Sequence, residues 1–351
     1  MISKVILLHE YGAPHHFRAL YHLQSKGEIR EIEHIEFNII KQIIKGIIYC
    51  NKKMFGSGFE NIKKFLKLLK QKNQIIIIGA APYDPIIPIL LYLKKRNRLI
   101  YFTSWPYWGT NFFPKKIIYP LQKKLWALFI LKVDVVTVTQ TSYRAIRLQG
   151  ANPVFIPHSV DTSLFYVNKI KRSKFTVLYV GRLVAEKGIF DLISLANNFK
   201  DNKNIEFMIV GDGPLKKAVQ RSSDNIIYFG WVRDNKKMVE IYNSCDLLIL
   251  LSKRTKSWEE LFGIVLIEGM ACGLPVIATD CVGPREIIKN NINGFIIPQD
   301  NKQTLINKLQ ILVDDSARRK KMGLKGREIA VNNYSLNRTS DQWLSYINQL
   351  P

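Results

Sequence analysis

A chain of 351 residues, 47% hydrophobic and 23% charged, has ordinary globular composition and room for two domains of common size. Its formal net charge of +24 creates a field that attracts polyanions such as nucleic acid or an anionic membrane face. The longest apolar run, Leu125–Leu131, is far short of the roughly 20 residues a spanning helix needs, and Val5–Leu8 is too short for a leader core, so a cytoplasmic protein is expected. Cys50, Cys245, Cys272 and Cys281 form no Cys-x-x-Cys pair, which argues against a disulfide framework and a zinc site.

In chain order, short β-like runs alternate with helical ones. The first half gives strands at Lys4–His9, Gln74–Ala81, Arg98–Thr103, Val133–Thr139 and Asn152–Ile156, with helices near Phe17–Lys26, Ile86–Lys95 and Ser142–Gln149. Such alternation predicts an α/β fold with a parallel sheet covered by helices. Pro157–Asp161 and the polar run Asn168–Lys174 read as a connection between domains. A second series follows, with strands at Phe175–Val180, Ile205–Val210, Ile226–Gly230, Leu247–Leu251, Pro275–Thr279 and Phe295–Ile297. Helices fit between them and continue to Gln349. The expected division is a Rossmann-like domain over 1–165, a second over 175–335, and a C-terminal helix from 336 that packs back on the first domain. Two doubly wound domains facing a central cleft would place a ligand at the carboxyl ends of the strands.

Candidate chemistry gathers at those strand ends in the second half. After Phe175–Val180 the chain reads Gly181-Arg182-Leu183-Val184-Ala185-Glu186-Lys187-Gly188. Gly181 permits close backbone approach, Arg182 offers a planar fork of donors and Lys187 a point charge, a set suited to a diphosphate leaving group. An exposed Arg and Lys at a helix start is the plainer alternative. Gly211 and Gly213 make a tight turn before Pro214. Phe229-Gly230-Trp231-Val232 offers an apolar wall and main-chain amides for a base, or else a core tryptophan. A helix beginning near Phe262 or Gly263 would aim the free amides of Phe262, Gly263, Ile264 and Val265 at phosphate or sugar oxygens. Glu260 lies just before that helix and Glu268 more than a turn inside it, each able to accept from two adjacent hydroxyls. A structural ion pair is the alternative for such an acid, although Glu268 would be costly to bury unpaired among Ile267, Gly269 and Met270.

In this order and spacing the segments resemble the retaining glycosyltransferases of family 4, the glycosyl transferases group 1, which have the GT-B fold. Pro157-His158-Ser159-Val160-Asp161 is similar to the family's Pro-Asn-Gly-Val-Asp turn, and Gly273–Ala278, Gly283–Ile287 and Asn293-Gly294 to its later signatures. The resemblance implies that Arg182 and Lys187 hold the donor diphosphate, Glu260 contacts the donor sugar and Glu268 binds the ribose. It also implies retention through a front-face step in which the leaving phosphate assists deprotonation of the acceptor, with no metal and no cofactor beyond the nucleotide-sugar substrate. The lack of an Asp-x-Asp triplet agrees. Two departures stand out. The first loop reads Tyr11-Gly12-Ala13-Pro14, leaving Gly12 as the one match to the family's paired glycines, and Ser104-Trp105-Pro106-Tyr107-Trp108 replaces the His often found after the strand at Leu99–Thr103. His15 and His16 suit surface or capping roles, and His158 a turn.

Residues 1–165 carry 24 Lys+Arg against 9 Asp+Glu, and residues 166–351 carry 28 against 19. Lysines interleave with apolar residues in Ile39–Ile48, Ile62–Lys72 and Pro114–Phe129, a pattern that lies in a membrane interface or covers an ordinary core. The expected function is sugar transfer from a nucleotide sugar to a glycan or lipid-linked acceptor in cell-surface polysaccharide or glycoconjugate synthesis, at the cytoplasmic membrane face. A GT-B nucleotide-sugar epimerase and a non-catalytic nucleotide-sugar-binding protein are the alternatives. Nucleic-acid binding is disfavoured, since no recognised module appears.

Overall fold

The protein is described here from a computed structural model covering residues 1–10, 14–37, 52–110, 112 and 120–349. It divides into two compact units, one of Met1–His158 with the segment from Thr339 on, the other of Ser159–Arg338.

The first unit contains a parallel six-stranded sheet in the order β2-β1-β3-β4-β5-β6. Its strands are β1 (Ile2–His9), β2 (Ile29–Glu36), β3 (Ile75–Gly79), β4 (Arg98–Thr103), β5 (Asp134–Thr137) and β6 (Val154–Phe155). The central strands β1, β3 and β4 bury Val5–Leu8, Ile76–Ile78 and Leu99–Phe102, the apolar runs expected of strands covered on both faces. β2 is absent from the sequence reading. It is an edge strand, Ile29-Arg30-Glu31-Ile32-Glu33-His34-Ile35-Glu36, whose isoleucines recur every third residue and match neither period. Pairing with β1 decides it: Ile29 and Ile35 are buried, while Lys4 of β1 bonds Glu31 at 2.8 Å and Glu33 at 2.6 Å.

The second unit holds another parallel six-stranded sheet, in the order β12-β11-β10-β7-β8-β9. It is built from β7 (Phe175–Val180), β8 (Ile205–Val210), β9 (Ile226–Gly230), β10 (Leu247–Leu250), β11 (Val276–Thr279) and β12 (Gly294–Ile297). One core joins Val177, Tyr179, Phe207, Ile249, Ile277 and Phe295 to the helices Ile189–Asn198 and Lys302–Asp314. The order reverses beside β7, the strand that opens the unit, and such a switch point leaves a crevice outside the carboxyl ends of the strands.

The division falls between His158 and Ser159, inside the stretch Pro157–Asp161 and ahead of the polar run Asn168–Lys174. Arg327 donates to the carbonyls of Phe165 at 2.6 Å, Ala271 at 2.7 Å and Thr162 at 3.1 Å, and Asn243 accepts from the amide of Asn168 at 2.7 Å. Those bonds hold residues 159–174 to the second unit. The last helix, Leu336–Asn348, crosses the division: Ser340 Oγ donates to the Ala19 carbonyl at 3.1 Å, and Trp343 lies 5.7 Å from the Phe102 ring within the first unit. Among the described residues no helix is long and apolar enough to cross a membrane.

Candidate functional site

Loops at the carboxyl edge of the second sheet are drawn together by their main chains. The amide of Gly181, after β7, bonds the Val210 carbonyl at 3.0 Å, and that of Leu183 bonds the Asp212 carbonyl at 2.9 Å. A Cβ on Gly211 would stand 1.8 Å from the Gly181 carbonyl oxygen, so this approach of the two loops requires glycine. Tyr179 donates to the Arg182 carbonyl at 2.8 Å, bracing the β7 loop from beneath, and burial raises the pKa of its phenol. Arg182 itself is exposed.

The loop continues into a 3-10 turn, Ala185–Lys187, ended by Gly188 at φ 72°. That turn presents Lys187 to the segment after β10. Lys187 Nζ pairs with Glu260 Oε2, which also accepts from Ser252 Oγ at 3.1 Å, and the ammonium lies 5.0 Å from the centre of the Trp258 ring. The side chains of Lys187 and Glu260 are 15% and 12% exposed, sheltered enough to interact strongly and open enough to meet a ligand. Adjacent Glu259 turns the other way. Its Oε1 accepts from the amide of Val282 at 2.8 Å, at the start of the helix Val282–Ile287. Two consecutive glutamates thus divide into a helix anchor and a partner of the lysine.

Gly263 caps the helix Ile264–Ala271 at φ 91° and brings no side-chain oxygen to its first amides. Gly283 allows the next helix to close against it, since a Cβ there would sit 2.3 Å from the Phe262 nitrogen. Phe262 is buried. Glu268 is 8% exposed and accepts from the Tyr242 hydroxyl at 3.1 Å, a hydrogen bond that orients the carboxylate. Phe229 and Trp231 are 42% and 65% exposed, so the tryptophan is no core residue and the apolar wall beside Val232 faces solvent.

In the first unit, His16 stacks on His158 at 4.8 Å and lies 4.3 Å from the His15 ring and 6.0 Å from that of His9. Burial, then neighbouring histidines, lowers His16 to about 2; burial, then His15, lowers His158 to about 3. His16 and His158 are therefore members of a neutral aromatic cluster, a larger part than a cap or a turn. After β4, Trp105 and Trp108 are buried, the first 5.6 Å from Phe112 and the second 5.4 Å from Tyr83. Gly12, the run Ile39–Ile48, Lys115, Lys116 and Tyr119 lie outside the described residues.

Residues 161–329 match the family described as glycosyl transferases group 1. That match spans just under half of the chain. Across 303 residues the chain is 27% identical to the capsular polysaccharide biosynthesis glycosyltransferase CapM of Staphylococcus aureus, covering 80% of this chain and 78% of that one. It is also 27% identical, over 173 residues, to the N,N'-diacetylbacillosaminyl-diphospho-undecaprenol alpha-1,3-N-acetylgalactosaminyltransferase of Campylobacter jejuni, covering 48% of this chain and 43% of that one. Several further relatives are matched over less than half of their own length. The fold resembles Anabaena Alr3699/HepE, solved in complex with UDP, with a TM-score of 0.71, 17% identity and coverage of 99% of this chain and all of that one. The two Rossmann-like units are those of the GT-B fold.

Of the residues singled out in the sequence, Lys187 and Glu260 meet directly, and Gly181 and Gly211 meet through their main chains. Ser252, Trp258 and Tyr242 had escaped notice. Ser252 has a local signal, a hydroxyl two residues past a buried strand, but nothing local pairs Tyr242 with a glutamate 26 positions away.

Proposed function

We propose that this transferase moves a sugar, with retention and without a metal, from a nucleoside diphosphate donor to a glycan or lipid-linked saccharide acceptor in cell-surface polysaccharide or glycoconjugate synthesis. The observation that carries the reading is the Lys187–Glu260 pair beside a helix whose capping residue is glycine. Arg182 and Lys187 supply positive charge for the diphosphate, and the amides of Ile264 and Val265 add donors at the positive end of a helix. Glu260, once the donor shares Lys187, accepts from sugar hydroxyls. Glu268, oriented by Tyr242, accepts from a ribose diol. Gly263 admits close main-chain approach, Gly181 and Gly211 shape the loops beneath, and Val232 with Phe262 supplies apolar contact.

In the reaction the bond from the anomeric carbon to the diphosphate oxygen breaks with its electrons passing to that oxygen. The acceptor oxygen attacks from the same face, and its proton passes to the departing phosphate. Cations held in place before the reaction stabilise the charge as it develops. Peripheral placement on the cytoplasmic face of an anionic membrane is favoured by the helix Pro120–Lys132, where Leu121, Leu128 and Leu131 are exposed together with Lys123, Lys124 and Lys132, while Trp126 and Phe129 are buried.

The test is a transfer assay on the full chain with a panel of nucleotide sugars and lipid-linked acceptors, with and without EDTA. Expected is activity indifferent to the chelator, a product of retained configuration, and a fall in kcat/KM of about 100-fold, or ~3 kcal/mol, in both Lys187→Met and Glu260→Gln. Full activity in both variants rejects the assignment.

A further inference from the structure

The opposite edge of the second sheet carries a cavity. It holds about 420 Å³, within the roughly 300–1,000 Å³ of small-molecule sites. Its walls are the run leading into β7, the turn before β10, Pro275 before β11, and the first turns of the helix Ser316–Tyr334. These are amino ends of strands, whereas the Lys187–Glu260 pair lies past the carboxyl ends. Strands of four to six residues, roughly 13–20 Å, separate the two.

The cavity's charge is one-sided. Lys169, Lys171 and Arg172 come from one wall and Arg319 and Lys320 from the other, with Asp246 the acid among the described lining residues. Asp246 is engaged elsewhere, accepting from the Thr176 amide at 2.9 Å, and Arg172 is shared with Glu206 at 2.7 Å. Lys169 turns its ammonium to the Cys245 carbonyl at 3.1 Å. Lys171 and Lys320 are exposed. Arg319, in the first turn of a 19-residue helix, donates to the carbonyls of Leu312 and Val313 at the end of the preceding helix, and Lys320 follows in the second turn, still near the end where the dipole disfavours cations. Convergence of like charges around a concavity raises the local concentration of anions. Beside the cations, Ile170 and Leu324 are 46% and 59% exposed, an apolar strip on the cavity's rim.

We propose that this cavity is a second ligand site, taking the phosphate or diphosphate group of an amphiphilic molecule, with the cations on the anion and Ile170 and Leu324 on the apolar part. A soluble phosphorylated metabolite and a lipid headgroup share that chemistry.

Binding is measured by calorimetry on the full chain carrying Lys187→Met, which weakens the donor loop, with inorganic diphosphate and with monomeric dihexanoyl phosphatidate as probes. The comparison chain adds Lys171→Glu and Lys320→Glu, two exposed positions, and its unliganded Tm is checked for an intact fold. Expected is binding of at least one probe that chloride at equal ionic strength does not displace and that weakens at least tenfold in the comparison chain. Tighter binding of phosphatidate assigns the site to a lipid headgroup, and tighter binding of diphosphate to a soluble ligand. Binding of neither probe, or affinities within twofold in the two chains, overturns the proposal.

Discussion

Replacing His158 by Asn, the residue the resembled family carries in this turn, tests what the histidine cluster costs the fold. A histidine held at about 3 when folded binds fewer protons than its unfolded counterpart near 6.5, so its contribution is complete above pH 6.5 and declines as the pH falls toward 3. At pH 5 the loss from His158 alone is about 2 kcal/mol. Expected is a Tm that falls between pH 7.5 and pH 5 in the parent chain and falls less in His158→Asn; equal declines reject the assignment. Local sequence could not foresee the cluster, since 142 positions separate His16 from the ring it stacks on. Lys187 and Glu260 stood out in the sequence for their type and place at strand ends. That Lys187 meets Glu260 and not Glu259 was not legible there, and the fold gives the physical reason: the Val282 amide claims Glu259.

At the scale of elements, glycines decide which loops can meet. Gly188 has φ 72° and a Cβ there would fall 2.0 Å from the Leu251 carbonyl oxygen; the Gly283 position would fall 2.3 Å from the Phe262 nitrogen. Gly27, at φ 78°, has open space around it. Gly188→Ala and Gly283→Ala are expected to cost about 3 kcal/mol or more and to weaken nucleotide binding, against about 1 kcal/mol for Gly27→Ala. Denaturant titration reads the difference, and equal costs at the three positions contradict it. The strands of the second sheet were legible because parallel strands in a covered sheet are predominantly apolar, with Thr176 and Glu206 as polar exceptions in β7 and β8, and β7, β8 and β9 have the expected bounds. β2 was not, because an edge strand with one charged side shows its pattern only beside Lys4 of β1.

For the whole molecule, the chain returns at its end to the unit where it began. Trp343 is 3% exposed and its ring lies against Phe102 of β4. Trp343→Ala is expected to destabilise the first unit by about 3–5 kcal/mol. Hydrogen exchange should quicken in β1 and β4 while β7 to β12 keep their protection; uniform quickening in both sheets refutes a local role.

Sequence by itself determined the two α/β series, the loops that carry glycine and charge, and the basic excess, because hydrophobic period, turn chemistry and net charge are local or additive quantities. Tertiary structure alone decided that Tyr242 orients Glu268, that Arg327 binds residues 159–174 to the second unit, and that lysines and arginines from two distant segments surround one cavity. Those are meetings of groups far apart in the chain, and their energies exist only once the sheets have brought the groups within reach.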